Sequence, residues 1–289
     1  MDNVVRSLLV LVLCLAPVAV ALLLIHRKRR EWRARSKLPF EELRRRPAGE
    51  SLRLKLEALD EKINERIALF AAVPVACALA NYYQHSPGVP FLVGLFLASI
   101  ILSSLFGWEF YRLVRNRANY QLGFDGERFV GEELTRLVAE GFEIYHDLPF
   151  DGFNMDHVLV GSPGVFLVET KARRKPVKDT GGKEYRVVFD GFRLHWPWGA
   201  DDYGVQQAAN NGRTLAEWLS GAVGESVTVT PILALPGWLV DRKAPSTNVC
   251  VVNPKEIIKL CNTQQERLNE NLVRRICYQL DQKCKLELG

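Results

Sequence analysis

No Asp, Glu, Lys or Arg interrupts the chain between Ser7 and Ile25, and the stretch is almost wholly Leu, Val and Ala. At about 1.5 Å of rise per residue it can cross a hydrocarbon core of roughly 30 Å as a helix. A cleaved secretory signal is the rival reading, because Ala19 and Ala21 offer small residues to a protease. Such signals carry their positive charge ahead of the apolar region. Here only Arg6 precedes it, whereas Arg27, Lys28, Arg29 and Arg30 follow at once. A retained anchor is therefore expected, with Pro17 as a place for a kink.

Two further uncharged runs follow, Ile67 to Tyr83 and Val89 to Trp108, separated by the turn residues Ser86, Pro87 and Gly88. Tyr82, Tyr83, Trp108 and Tyr111 stand at their ends, where interfacial aromatics belong. A pair of buried helices in a soluble protein is the alternative, but length and charge favour a transmembrane hairpin. Expected spans are thus about 7–25, 67–83 and 89–108. The loop between the first two, 26–66, is rich in Arg and Lys, including Arg33, Arg35, Lys37 and Arg44 to Arg46. Positive loops stay in the cytoplasm. This predicts a multi-pass protein of the inner (plasma) membrane, with its N-terminus outside and everything after Trp108 inside. Within the loop, residues 50–66 read as a charged amphipathic helix with Leu52, Leu56, Leu59 and Ile63 on one stripe. Contact with anionic lipid head groups accounts for the loop's charge more simply than nucleic acid does.

Charge then separates the two halves. Residues 1–117 hold 18 Lys and Arg against 10 Asp and Glu, and residues 118–289 hold 20 against 23. The basic pI of the whole chain is therefore no argument for nucleic-acid binding by its C-terminal half. The six cysteines include no C-x-x-C pair, which argues against a zinc ribbon or a thioredoxin-type site.

From about Asn119 the composition becomes that of a soluble domain. Asp125 is placed to cap a helix from Gly126 to Glu140, which Gly141 ends. Val130, Leu134, Leu137 and Val138 would face inward, with Glu127 on the same stripe. Strands are expected at Phe142 to His146, Asn154 to Val160 and Val165 to Lys171, the last two joined by the turn Gly161-Ser162-Pro163-Gly164. Further along, a hairpin turns at Asp190-Gly191 and a helix starts at Gln207. Strands follow at Val227 to Leu235 and Asn248 to Val252, then a helix opened by Pro254. The tail from Gln264 to Lys285 is helical, with Leu268, Leu272, Ile276, Leu280 and Cys284 near one stripe.

Strand alternation puts Val165, Leu167, Glu169 and Lys171 on one face, and Asp156, Val158 and Val160 together. In a hairpin around Gly161–Gly164 the start of one strand meets the end of the next, so Asp156 and Glu169 converge at one end of the sheet. Carboxylates so placed suit magnesium, which commonly takes one or two of them beside water and phosphate oxygens. Lys171 could hold the attacking water or the phosphate as a point charge. An ordinary cross-strand salt bridge would use the same residue types.

The segments G-F-D-G-E-R (123–128), M-D-H-V-L-V (155–160), G-V-F-L-V-E-T-K (164–171) and Q-A-A-N-N (207–211), taken in order, resemble NERD, the nuclease-related domain. NERD is a branch of the PD-(D/E)xK nuclease superfamily, and the resemblance covers about residues 120–250. It implies an α/β fold with a restriction-endonuclease-like core of helix, mixed sheet and helix. It also implies a catalytic set of Glu127, Asp156, Glu169, Lys171 and Gln207. Asp156, Glu169 and Glu127 would bind the metal, Mg2+ or Mn2+. Lys171 would act on water or phosphate, and Gln207 would be the polar residue of the next helix. His157 matches the family's Asp-His pair without an assigned role. Met155 stands where the superfamily name places Pro.

After these residues Arg173, Arg174, Lys175 and Lys178 form a basic cluster, with Tyr185, Phe189, Phe192, Trp196 and Trp198 close by. Cations for phosphates and aromatics for bases suit a nucleic-acid groove. A solvated hairpin whose aromatics cover the core would look the same. The expected organisation is a membrane region at 1–117, a NERD domain at 118–262 and a C-terminal helix at 263–289. The expected function is membrane-anchored, metal-dependent hydrolysis of nucleic acid, DNA favoured. The alternative is an inactive nucleic-acid-binding or membrane interaction module on the same fold. The anchor adds membrane lipids as partners and leaves room for a membrane-bound protein partner or a homo-oligomer. On this view the membrane half supplies placement alone and no part of the site.

Overall fold

The computed structural model describes residues 45–83, 88–176, 185–244, 248–263 and 268–286. The expected span 7–25 lies outside them, as does Lys178. The described residues fall into two units. One is Ala58–Arg117, and the other joins residues 45–57 to the chain from Ala118 onward.

The first unit is helical. Helix α1 (Glu50–Tyr83) contributes its later turns, and helix α2 (Val89–Leu134) its earlier ones. Arg117 clasps Asp60 through Nε at 2.5 Å and Nη2 at 3.2 Å, and Arg66 pairs with Glu109 at 3.3 Å. These pairs ascend one helix while descending the other, so the two segments run antiparallel. The stretch from Val89 to Glu140 includes a helix long and apolar enough to cross a membrane, by length and composition. Val89, Phe96, Ile101 and Leu105 on it are all exposed.

The second unit is a layered α/β domain. Strands β1 (Glu143–Phe150), β2 (Phe153–Gly161), β3 (Gly164–Thr170), β7 (Val229–Ala234) and β9 (Cys250–Val252) form a five-stranded sheet in the order β1-β2-β3-β7-β9. The first three are antiparallel, as short turns allow, with Gly161 opposite Gly164. β7 lies parallel to β3, and β9 parallel to β7. A parallel neighbour requires a crossover, and helix α3 (Tyr203–Val223) provides it. Between β3 and α3 the chain builds a small second sheet of β6 (Gly199–Asp201), β5 (Leu194–Trp196) and β4 (Arg186–Phe189), joined later by β8 (Leu239–Arg242).

Alternation on the central strands divides the core. Val158, Val160, Val165 and Leu167 face Leu215 and Leu219 of α3, and also Leu272, Ile276 and Leu280 of the last helix, α5 (Glu270–Leu286). The tail stripe thus packs on its own domain. Leu159, Phe166 and Val168 face Val130 and Leu134 of α2, and Ile257 and Cys261 of helix α4 (Ile257–Asn262). Removing such side chains from water contributes about 25 cal/mol per Å² of apolar surface, which is what holds the layers together. Cys250, Cys261, Cys277 and Cys284 are all free thiols.

Three local expectations fail. Asp125 caps nothing: α2 continues through it, and its carboxylate instead accepts from Gln121 Nε2 at 2.9 Å, one turn back. After Leu134 the helix tightens to a 3-10 form over Thr135–Glu140, ended by Gly141 at φ 85°. That change of pitch keeps Leu137 buried but turns Val138 outward, 55% exposed. The expected start of the next helix at Gln207 is one turn late, since α3 already begins at Tyr203.

Candidate active site

One end of the central sheet gathers the acids. Asp156 lies one step beyond the His157–Val168 pair of the β2–β3 register, which brings it beside Glu169. The Thr170 backbone N–H donates to Asp156 Oδ2 at 2.7 Å, tying the end of β3 to the start of β2. Glu169 is buried and held from α3, with Gln207 Nε2 donating to Oε2 at 3.0 Å and Asn211 Nδ2 to Oε1 at 2.8 Å. Gln207 and Asn211 are four residues apart on a helix, so both reach the same carboxylate. Gln207 was expected at the site from the sequence, whereas Asn211 had no expected role.

Glu127 comes from α2, on the opposite face of the sheet. A Cβ built on Gly126 would lie 2.6 Å from Ala172 Cβ, so only glycine lets this turn of the helix press against the chain just past β3. That approach brings the adjacent Glu127 in among the acids.

A fourth carboxylate was not expected. Asp147 interrupts β1 opposite Asp156, is 1% exposed, and adopts φ 49°, a left-handed conformation that Asp tolerates better than most side chains. Its carboxylate accepts from Asn154 Nδ2 at 3.1 Å, Arg46 Nη1 at 3.3 Å and the Ser51 backbone N–H at 3.0 Å. A lone acid inside the apolar run Ile144 to Leu148 was the available signal.

The last two donors belong to a strap, residues 45–57, that packs on the domain. Arg45 pairs with Glu143 at 2.6 Å and Asp281 at 3.2 Å, and its guanidinium lies 4.4 Å from the centre of the Tyr145 ring. Gly131 makes room for the strap, since a Cβ there would meet Ala48 Cβ at 2.8 Å. Leu56 is buried. The expectation that the basic loop stands apart from the site is thus corrected. Part of it is built into the domain and bonds one of the four acids.

The electrostatics follow from burial. Desolvation, with Asp147 and Glu169 adding repulsion, pushes Glu127 up to about 8. Glu169 is raised to about 7 by burial, against the opposing pull of Asn211 and Lys171. Asp156 keeps some solvent contact but is ringed by protein, and desolvation followed by the charges of Glu169 and Glu127 raises it well above the ordinary carboxyl range. Lys171 is half-buried, and its pKa is lowered by burial and by Arg173. Its Nζ sits 4.4 Å from the centre of the Tyr203 ring, while its backbone N–H donates to Ala234 O at 2.9 Å.

Behind the acids, His146 Nδ1 and His157 Nδ1 lie 2.8 Å apart, and His157 Nε2 is 3.4 Å from Thr170 Oγ1. Burial lowers the pKa of both rings, which favours neutral imidazoles. His157 is therefore a buried ring held between His146 and Thr170.

Residues 122–236 match the family model of the nuclease-related domain, NERD. The matched stretch contains Glu127, Asp147, Asp156, Glu169, Lys171, Gln207 and Asn211. It ends two residues past β7, so β9, α4 and α5 lie beyond the NERD match. Comparison of the chain with curated proteins and with solved structures gives no significant match.

Among the described residues no three His, Cys, Asp or Glu side chains are grouped closely enough to hold a metal ion as they stand. The donor set nevertheless suits a hard divalent cation. It offers oxygen ligands on neighbouring strands, carboxyls whose protonation a cation would reverse, and neutral amides that orient one of them. Magnesium needs only one or two carboxylates from the protein.

Three residues of the basic cluster follow shortly after the end of β3. Arg173, Arg174 and Lys175 are exposed, and Arg173 pairs with Asp201 at 3.5 Å. Of the nearby aromatics, Phe189 and Trp196 are buried, whereas Tyr185, Phe192 and Trp198 are exposed. Phe189 and Trp196 thus cover the core, as the second reading of that hairpin expects.

Proposed function

We propose that this protein is a membrane-anchored nuclease-related enzyme that hydrolyses phosphodiester bonds of nucleic acid, DNA favoured, on the cytoplasmic face of the inner membrane. The observation that carries this reading is the gathering of Asp156, Glu169, Glu127 and Asp147 at one sheet end inside a NERD match, where burial raises the carboxyl pKa of the first three. Asp156 and Glu169 would hold Mg2+ or Mn2+, with Glu127 as the third acid. Such an ion, when bound, lowers the pKa of a coordinated water and offsets charge on the phosphate.

The chain's own residues supply the rest. Gln207 and Asn211 fix both oxygens of Glu169, so the carboxylate cannot rotate away. The Thr170 N–H fixes one oxygen of Asp156 and leaves the other open. Lys171 places an ammonium beside both acids to hold the attacking water or a phosphate oxygen. Arg173, Arg174, Lys175 and Lys178 would contact phosphates along the strand. Digestion of plasmid DNA by the full-length protein in detergent tests this, with magnesium or manganese against chelator. Cleavage that needs the metal and vanishes in Glu169→Gln supports it.

One observation favours a second reading, an inactive nucleic-acid-binding or membrane interaction module. The acids are not closed into a ready three-ligand cage. DNA retained without cleavage in either metal would select that reading.

A further inference from the structure

Trp198 lies flat on Trp196, with ring centres 5.5 Å apart and planes 8° from parallel. Trp238 meets both edge-on, at 4.9 Å from Trp196 and 5.6 Å from Trp198. Trp196 and Trp238 are 5% and 0% exposed, but Trp198 is 53% exposed. One face of the Trp198 indole is covered by Trp196, so its exposed area falls largely on the other. Trp198 therefore presents a fixed, half-open indole, whereas its two neighbours are covered.

The stack is tied to the site. Trp238 Nε1 donates to Arg173 O at 3.2 Å, which seats the basic segment beside the aromatic group. Trp198 directly precedes β6, whose Asp201 pairs with Arg173 and accepts from the Tyr203 N–H at 2.9 Å. Tyr203 in turn carries Lys171 on its ring. A connected set of residues therefore runs from Lys171 to Trp198. Among the described residues no ion pair engages the exposed side chains of Arg174 and Lys175.

We propose that the outer face of Trp198 is a stacking platform for one unpaired base of a single-stranded nucleic acid, with the neighbouring phosphates held by Arg174 and Lys175. The inference rests on the nucleic-acid reading above and narrows it to the strand form. Every base has a π face, and stacking on an aromatic side chain is sequence-tolerant. Two buried tryptophans hold the indole in place beforehand, so little freedom is lost when a base lands on it. In a duplex the base faces are already stacked on one another and unavailable.

The test uses full-length protein in detergent, with chelator present to prevent cleavage. Probes are a fluorescent oligothymidylate, an abasic strand of equal length and charge, and a duplex of the same length. The platform predicts about ten-fold or weaker binding of the abasic strand and of the duplex, with quenching of tryptophan fluorescence by oligothymidylate alone. Trp198→Ala should lose about ten-fold in affinity for oligothymidylate, and Trp198→Phe should recover part of it. Equal binding of thymidylate and abasic strands by the wild-type protein overturns the platform while leaving the nucleic-acid reading intact. Failure of every probe to bind overturns both.

Discussion

The Ser51 backbone N–H donates to Asp147 Oδ2 at 3.0 Å, so the first turn of α1 is bonded to an acid of the candidate site. A fragment beginning at Arg117 lacks that segment and leaves the Asp147 carboxylate short of two donors. It should melt at a lower temperature than a version of the domain that retains residues 45–57. A synthetic peptide of those residues, added in trans, should raise its melting temperature. In the full chain, Asp147→Ala strands buried donors and should cost about 2–3 kcal/mol in denaturant unfolding. Asp147→Asn keeps an acceptor and tolerates the left-handed backbone, so it should cost less.

Substitution of the acids should separate chemistry from folding. Asp156→Asn and Glu169→Gln should abolish metal-dependent cleavage. Both remove a carboxyl that repels its neighbours, so in chelator the variants should melt no lower than wild type. Lys171→Ala should still bind the metal, seen calorimetrically, while turnover drops by about 100-fold or more. Wild-type rates in all three would place the chemistry elsewhere.

Stability should depend on pH in a direction set by burial. Glu127 and Glu169 titrate near 8 and 7 in the folded protein, against an ordinary value of 4.5. Between those limits the folded state binds more protons than the unfolded one, so stability falls as pH rises. The contribution is full below about pH 4.5 and lost by about pH 8. In chelator the melting temperature should decline across that window. Magnesium, which needs the deprotonated carboxylates, should restore it increasingly toward pH 8.

Gly126→Ala gives a test by sign. In an exposed helix interior, alanine for glycine stabilises by about 1 kcal/mol. Here the new methyl meets Ala172 Cβ at 2.6 Å, and overpacking of that kind costs about 1–3 kcal/mol. The variant should be less stable, and its activity should fall because Glu127 is displaced. A stabilised, fully active variant would mean that the helix does not press on the strand end.

Topology is checked by fusing reporters that work on only one side of the membrane. Outside signals are expected after Val5 and Ser86, and an inside signal at Gly289. An outside signal at Gly289 would remove the domain from its substrate and overturn the functional reading with it.

The sequence made parts of this arrangement legible for definite reasons. Period-two alternation put Asp156 and Glu169 on one face, and a four-residue turn set their register. Glu127 was legible from its helical stripe. Asp125 was misread because a capping residue and a mid-helix acid have the same composition, and only the continuation of α2 distinguishes them. Arg45 and Arg46 were absorbed into a topology signal, although each bonds an acid of the domain. Asp147 was passed over because the first strand was expected to end at His146, one residue before it, whereas β1 runs on to Phe150. Of the Q-A-A-N-N run, the first polar residue was given a role and Asn211, one turn on, was not.

The parallel pairing of β3 with β7 also has a consequence for the order of synthesis. The backbone that carries Lys171 is seated by Ala234 O, a group made 63 residues later. The proposed spans leave the ribosome before the acids, and the strand that seats the lysine leaves after them. A nascent or clipped chain that stops short of Ala234 already has its anchor and its acids but lacks that strand. On the proposed function, the chain is delivered to the membrane before it can cut.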